Sequence, residues 1–161
     1  RVRELDDGET LAGRDRRVEL YPMPPCHTPE DLLVWVPDAS VLFVGDLFGW
    51  VLAPQNGPMR PGWPDEIRRA YEKMIAFDAD TVVPGHGPIC TSAELSRWLE
   101  YFNELERVMA GVVAASDDMN AALEAAPPPD DMRDWWRFLD WKHEDTAQKV
   151  YQAVREGTMG R

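Results

Sequence analysis

Positive charge is in short supply. The chain of 161 residues carries 17 Lys and Arg against 29 Asp and Glu, a net charge of −12. Binding a nucleic-acid backbone needs clustered Lys and Arg to neutralise phosphates, so this composition argues against nucleic acid as a partner and suits a soluble protein. Long apolar runs are missing too. None reaches the ~18–20 residues a membrane span requires, and no basic-plus-apolar leader opens the chain. Arg1 rather than Met stands first, from which we expect a fragment or a processed product. Cysteine occurs twice, at Cys26 and Cys90. That pair gives no sign of a disulfide framework or a CxxC zinc knuckle and reads as reduced thiols of a cytoplasmic protein. Histidine occurs three times, at positions 27, 86 and 143, and no internal repeat or long low-complexity tract is present.

What is present suffices for a core. Apolar residues make up 44% of the chain, which fits one globular domain or a large piece of one. Residues 17–23 (RVELYPM), 31–36 (DLLVWV), 40–44 (SVLFV) and 80–83 (DTVV) are short, rich in Val and Leu, and bounded by Pro, Gly or Asp. Those features predict strands. The Pro37-Asp38-Ala39-Ser40 step between two of them predicts a hairpin-like connection. Residues 49–63, with three Pro and three Gly, predict a long loop, and long loops in compact domains are often functional.

Helical periodicity follows. From Pro64, the positions Ile67, Ala70, Tyr71, Met74 and Ile75 keep a 3.6-residue period, and Pro suits a first helical turn. A second helix is expected from Thr91 or Ser92, where Thr91 and Glu94 form a capping box. Leu95, Trp98, Leu99, Phe102, Leu105, Val108, Met109 and Val112 mark its apolar stripe. Residues 115–145 hold nine acidic and three basic side chains and three consecutive prolines. A short helix is expected on either side of Pro127–Pro129, the second running from Asp131 to Trp141 with Trp135, Trp136 and Phe138. A last helix, roughly 143–156, is expected to end near Gly157.

Three features share one design: an apolar strand ends in a turn that presents a metal-capable side chain. They are His27 after strand 17–23, Asp46 in Gly45-Asp46 after Val41–Val44, and His86 in Pro84-Gly85-His86-Gly87-Pro88 after Val82-Val83. Loops after strand ends are where a rigid sheet commonly builds a site. Glycine beside a ligand lets a metal approach the backbone, and imidazole with carboxylate suits zinc, iron or manganese. Each turn taken alone is more often an ordinary turn or a capped histidine than a ligand. Their order and spacing make the metal reading the stronger.

In that order and spacing, P-C-H-T-P-E, V-L-F-V-G-D-L and V-V-P-G-H-G-P resemble the C-terminal half of a metallo-β-lactamase-fold hydrolase, over about residues 15–105. The resemblance implies an α/β (α+β) fold class. It would be the C-terminal half of an αββα sandwich, with mostly antiparallel short strands followed by helices. Residues 1–114 would form this half-domain and residues 115–161 a helical C-terminal extension packed on it. By the same resemblance His27, Asp46 and His86 are metal ligands of two divalent ions, zinc first, with iron or manganese as alternatives, and Asp46 bridges them. The metals would activate a water that attacks an ester, lactone, thioester, amide, phosphoester or sulfate. Two departures stand out. Cys26 and Glu30 occupy places where the family usually has glycine, and the family's HxHxDH motif occurs nowhere in the chain. Three ligands divided between two metals leave each undercoordinated, and half a sandwich leaves a sheet face bare. We therefore expect a partner: an N-terminal half in the same or a separate chain, or a homo-oligomer. Two alternatives to the hydrolase stand beside it: a non-catalytic half-domain or degenerate relative that binds a partner, suggested by the missing motif and the altered turn at Cys26, and an iron-dependent oxidoreductase on the same fold.

Other candidates are weaker. Adjacent residues on extended backbone point apart, so Cys26 and His27 do not read as a nucleophile and its base; Cys26, like Cys90, reads as a small buried filler. His143 reads as a polar residue at a helix start, and the Trp135–Trp141 aromatics as packing. Trp50 and Trp63, on the loop after Asp46, are the candidates for the wall of a small-molecule substrate pocket. The acidic run reads as solvated surface.

Overall fold

The computed structural model describes residues 5, 7–50, 53–54, 59–135 and 140–159. Five strands form one sheet in the order β1 (Glu9–Ala12), β2 (Arg17–Pro22), β3 (Leu32–Val36), β4 (Val41–Gly45) and β5 (Thr81–Pro84). The first three junctions are antiparallel and β4–β5 is parallel. Neighbouring parallel strands need a crossover, and helix α1 (Trp63–Ile75) supplies it. The expected strands are present within a residue or two. β1 was not anticipated: it is four residues long between Gly8 and Gly13 and nearly all exposed, so it carries no burial pattern to read. Pro37–Ala39 forms a 3-10 turn that closes on Ser40 in the left-handed region, φ 50°.

The two faces of the sheet differ. Leu33, Leu42, Val44 and Val82 are buried in one cluster with Ile67, Tyr71 and Met74 of α1 and Leu95, Trp98 and Phe102 of α2 (Ser92–Ala115). The register pairs Leu32 with Pro22, Val34 with Phe43, and Phe43 with Val83. Cross-strand partners share a face, so these apolar residues line the opposite side, where Leu11, Leu32 and Phe43 are 46%, 42% and 42% exposed.

The helices start and stop where local chemistry dictates. In α2 the Thr91 hydroxyl accepts from the Ala93 N–H (3.2 Å) and the Glu94 carboxylate accepts from the Thr91 N–H (2.8 Å), the expected capping box. Thr91→Ala is expected to cost about 1 kcal/mol, a fall in Tm of roughly 2–4 °C for a chain of this size. Thr91→Ser retains an acceptor at the cap and should melt close to the parent in thermal denaturation. Tyr71, Trp98 and Phe102 stack in series, centroids 4.2 Å and 5.2 Å apart, and tie α1 to α2.

Beyond α2 come α3 (Met119–Ala125), a 3-10 turn at Asp130–Met132, and α4 (Asp140–Arg155). The helix expected over 131–141 is replaced by that turn and by an earlier start of α4; Trp136 and Phe138 lie outside the described residues. Trp141 is 55% exposed, so it is not part of a packing stripe. Gly157, at φ 68°, closes α4: its N–H donates to the Val154 carbonyl (3.0 Å) and the Thr158 N–H to that of Ala153 (2.8 Å). This is a Schellman end, which only a residue tolerant of positive φ completes without strain. His143 is buried in α4, Nε2 2.7 Å from the Ala126 carbonyl and Nδ1 2.9 Å from the Tyr101 hydroxyl. It stands in the first turn of α4, near the helix start as expected, and links α4 to α2 and the α3 C-terminus. Some of the acidic run is likewise pinned: Asp131 pairs with Arg97 and Asp117 with Arg155. No helix among the described residues is long and apolar enough to cross a membrane.

Candidate metal centre

The turn after β2 contains Pro24, Pro25 and Pro29, which have no backbone donor. Between them, the N–H groups of Cys26, His27 and Thr28 all converge on the carboxylate of Asp31, at 3.0, 2.7 and 3.0 Å. The Thr28 hydroxyl donates to the same carboxylate at 2.7 Å. Trp63 supports the turn from behind, its Nε1–H donating to the Cys26 carbonyl at 2.6 Å. The Cys26 side chain is fully buried, and desolvation, with the nearby Asp31 charge, pushes its thiol well above the usual range. Burial pushes the Cys90 thiol up to about 12, Glu94 adding to the effect. A nucleophile or a soft metal ligand must be a thiolate, so both cysteines are packing groups at neutral pH.

Gly45, at φ 53°, ends β4 beside an irregularity in the β4–β5 register between Phe43 and Gly45. Such bulges re-aim side chains at sheet ends. Asp46 follows and is brought between the two histidines: Oδ2 lies 3.7 Å from His27 Nε2, and Oδ1 lies 3.3 Å from His86 Nε2. Gly85 makes this possible. Its N–H donates to the Gly45 carbonyl at 2.8 Å, and a Cβ there would lie 2.1 Å from Asp46 Oδ1. The absence of a side chain at Gly85 leaves room for the carboxylate.

The donor set fits divalent cations in part. Two ligands about 2.0–2.1 Å from one tetrahedral zinc stand about 3.3 Å apart, close to both gaps. Each Asp46 oxygen faces a different imidazole. The three side chains form two pairs sharing Asp46. Among the described residues no group of three or more His, Cys, Asp or Glu is arranged to hold a metal by itself.

The two expected pocket-wall residues are buried, Trp50 at 7% and Trp63 at 8% exposure. Trp50, in the left-handed region at φ 63°, packs on Phe48 and Trp135 at 5.3 Å each. Asp31 and the role of Gly85 escaped the sequence reading. A carboxylate three residues beyond a proline-flanked His-Thr was the available signal for Asp31.

A mixed sheet with one face covered by helices, whose strand-end turns bring His27 and His86 to either side of Asp46, defines an α/β scaffold. The family model described as Metallo-beta-lactamase superfamily matches residues 1–86, and the chain belongs to that superfamily. The metallo-beta-lactamase family protein TTHA1429 from Thermus thermophilus is similar at TM-score 0.63 and 16% identity, over 98% of this chain and 50% of that one. An archaeal metallo-beta-lactamase superfamily protein from Sulfolobus tokodaii is similar at TM-score 0.51 and 18% identity, over 62% of this chain and 39% of that one. The chain thus spans half or less of the length of these solved structures. No match was found among curated proteins.

Proposed function

We propose that this chain is the C-terminal half of a metal-dependent hydrolase that cleaves an ester, lactone, thioester or related bond in a small molecule. The observation that carries this reading is the Asp46 carboxylate with one oxygen toward each of His27 and His86. Superfamily membership supports metal-dependent hydrolysis at the coarse level. We assign two divalent cations to the site, zinc first and iron or manganese as alternatives. His27 and Asp46 Oδ2 would hold one, His86 and Asp46 Oδ1 the other. Divalent cations in such a site supply an activated water and Lewis-acid polarisation of the scissile bond. This chain's own part is positional. Asp46 keeps both imidazoles at one point, Gly85 leaves that carboxylate its space, and the buried Trp63 backs the His27 turn.

The remaining donors come, on this reading, from an N-terminal half in the same or a separate chain, which would also cover the apolar sheet face bearing Leu11, Leu32 and Phe43; a homo-oligomer is the other source. The free thiols Cys26 and Cys90 favour a reducing compartment, the cytoplasm.

The test is metal analysis and a hydrolysis screen on the complete protein. It should hold two divalent ions, and chelation should reduce hydrolysis to background, with recovery on adding zinc. A metal-free complete protein, or hydrolysis that survives chelation, overturns the reading. The first of those outcomes is the one expected of a non-catalytic binding module, which the incomplete donor set favours as the second reading. Elemental iron with redox turnover would select the oxidoreductase.

A further inference from the structure

Asp31 lies outside the three candidate ligands, yet it collects the three consecutive backbone donors centred on His27. We propose that Asp31 is the positioning residue of the His27 corner, holding that imidazole at its place on one cation while leaving the Asp46–His86 corner alone. The inference rests on the metal-centre reading above. The successive N–H groups of Cys26, His27 and Thr28 form a concave nest of the kind that binds anions, and here the chain fills it with its own carboxylate. Both oxygens are engaged. Oδ2 accepts from the N–H groups of Cys26 (3.0 Å), His27 (2.7 Å) and Thr28 (3.1 Å). Oδ1 accepts from the Thr28 N–H (3.0 Å) and hydroxyl (2.7 Å).

Only a carboxylate meets this demand, because an amide offers one acceptor oxygen and turns two donors toward the rest. The Asp31 backbone contributes as well, its carbonyl accepting from the Met23 N–H at 2.9 Å and closing the base of the turn. Pro24, Pro25 and Pro29 fix φ around the nest. Released from Asp31, the three central peptides would have to rotate as a group to find water, and His27 would move with them. The Asp46–His86 pair stands on the turns after β4 and β5, and among the described residues the hydrogen bonds of the Asp31 carboxylate all go to Cys26, His27 and Thr28.

Outer-shell residues that orient a ligand typically change metal affinity 10–100-fold when replaced. The experiment is calorimetric titration of zinc into the metal-stripped complete protein, with cobalt absorption as a second readout. Wild type should show two binding events. Asp31→Ala should weaken one by about 10–100-fold and leave the other within about twofold, with the cobalt spectrum altered for the weakened ion only. Asp31→Asn, which keeps the shape, should lie between. Amide exchange at His27 and Thr28 should quicken in both variants, a result that needs no metal. If Asp31→Ala weakens both events equally, the residue is a general structural support and the inference is wrong. Unchanged zinc affinities in Asp31→Asn, with unchanged exchange at His27, also overturn it. If wild type takes up no zinc, the metal-centre reading fails first and this inference with it.

Discussion

Gly85→Ala should both destabilise the protein and disorganise the candidate metal centre. The added Cβ would stand 2.1 Å from Asp46 Oδ1, 2.8 Å from the Gly45 carbonyl carbon and 3.0 Å from the Asp46 nitrogen. A carboxylate can swing away, but the two backbone atoms cannot, because the Gly85 N–H is bonded to the Gly45 carbonyl at 2.8 Å. Either β5 separates from β4 at that point or the backbone deforms. Overpacking of this kind costs about 1–3 kcal/mol, and backbone as the obstacle places this case at about 3 kcal/mol. The expected fall in Tm is roughly 6–12 °C for a domain of this size. Gly111→Ala is the control: it lies in α2 with nothing within 4 Å of the added carbon, so it should stabilise by about 0.4–1 kcal/mol. Differential scanning calorimetry of the two variants decides the matter. Equal melting of Gly85→Ala and the parent would mean that strand β5 shifts freely past Asp46, and the steric account would be wrong.

What could be read in advance follows the range of the interactions involved. The capping box at Thr91 and Glu94 needs residues three apart, and it was legible. The three strand-end turns were legible for the same reason, since an apolar strand, a Gly or Pro and a polar side chain are all local. The helix ending at Gly157 was legible because left-handed backbone almost names its residue. Tyr101 was not counted in the α2 stripe. It is buried because its hydroxyl finds His143, 42 positions along the chain. Trp63 read as a pocket-wall candidate because it stands on the loop after Asp46; its link to the Cys26 carbonyl, 37 positions away, has no local signal. Strand β1 escaped for another reason. It is exposed on nearly every residue, so alternation has nothing to report. Asp31 was in plain view but counted as the first residue of a strand. Its side chain acts backwards, on the turn, and only the scarcity of donors among the neighbouring prolines hints at that.

The candidate site leads to the second large effect. Asp46→Ala should remove both cations, whereas His27→Ala and His86→Ala should each remove one. The asymmetry follows from the two oxygens of one carboxylate, 3.7 Å from His27 and 3.3 Å from His86. Loss of an outer-shell residue already lowers affinity 10–100-fold, so loss of a shared direct donor should lower both affinities by about 100-fold or more. Hydrolysis should fall with them. Folding should be nearly untouched, because the Asp46 side chain is 43% exposed and substitutions at such positions usually stay within about 0.5 kcal/mol. That separates Asp46→Ala from Gly85→Ala, which should move both Tm and metal content. The double variants sharpen the case. Residues that serve one ion are coupled and residues that serve different ions are not. With Asp46 absent, adding His27→Ala or His86→Ala should therefore cost little more, while His27→Ala and His86→Ala should act independently of each other in the parent. Elemental analysis and zinc titration of the complete protein measure all of these. Retention of two tightly held ions by Asp46→Ala would show that the carboxylate is a bystander between two histidines.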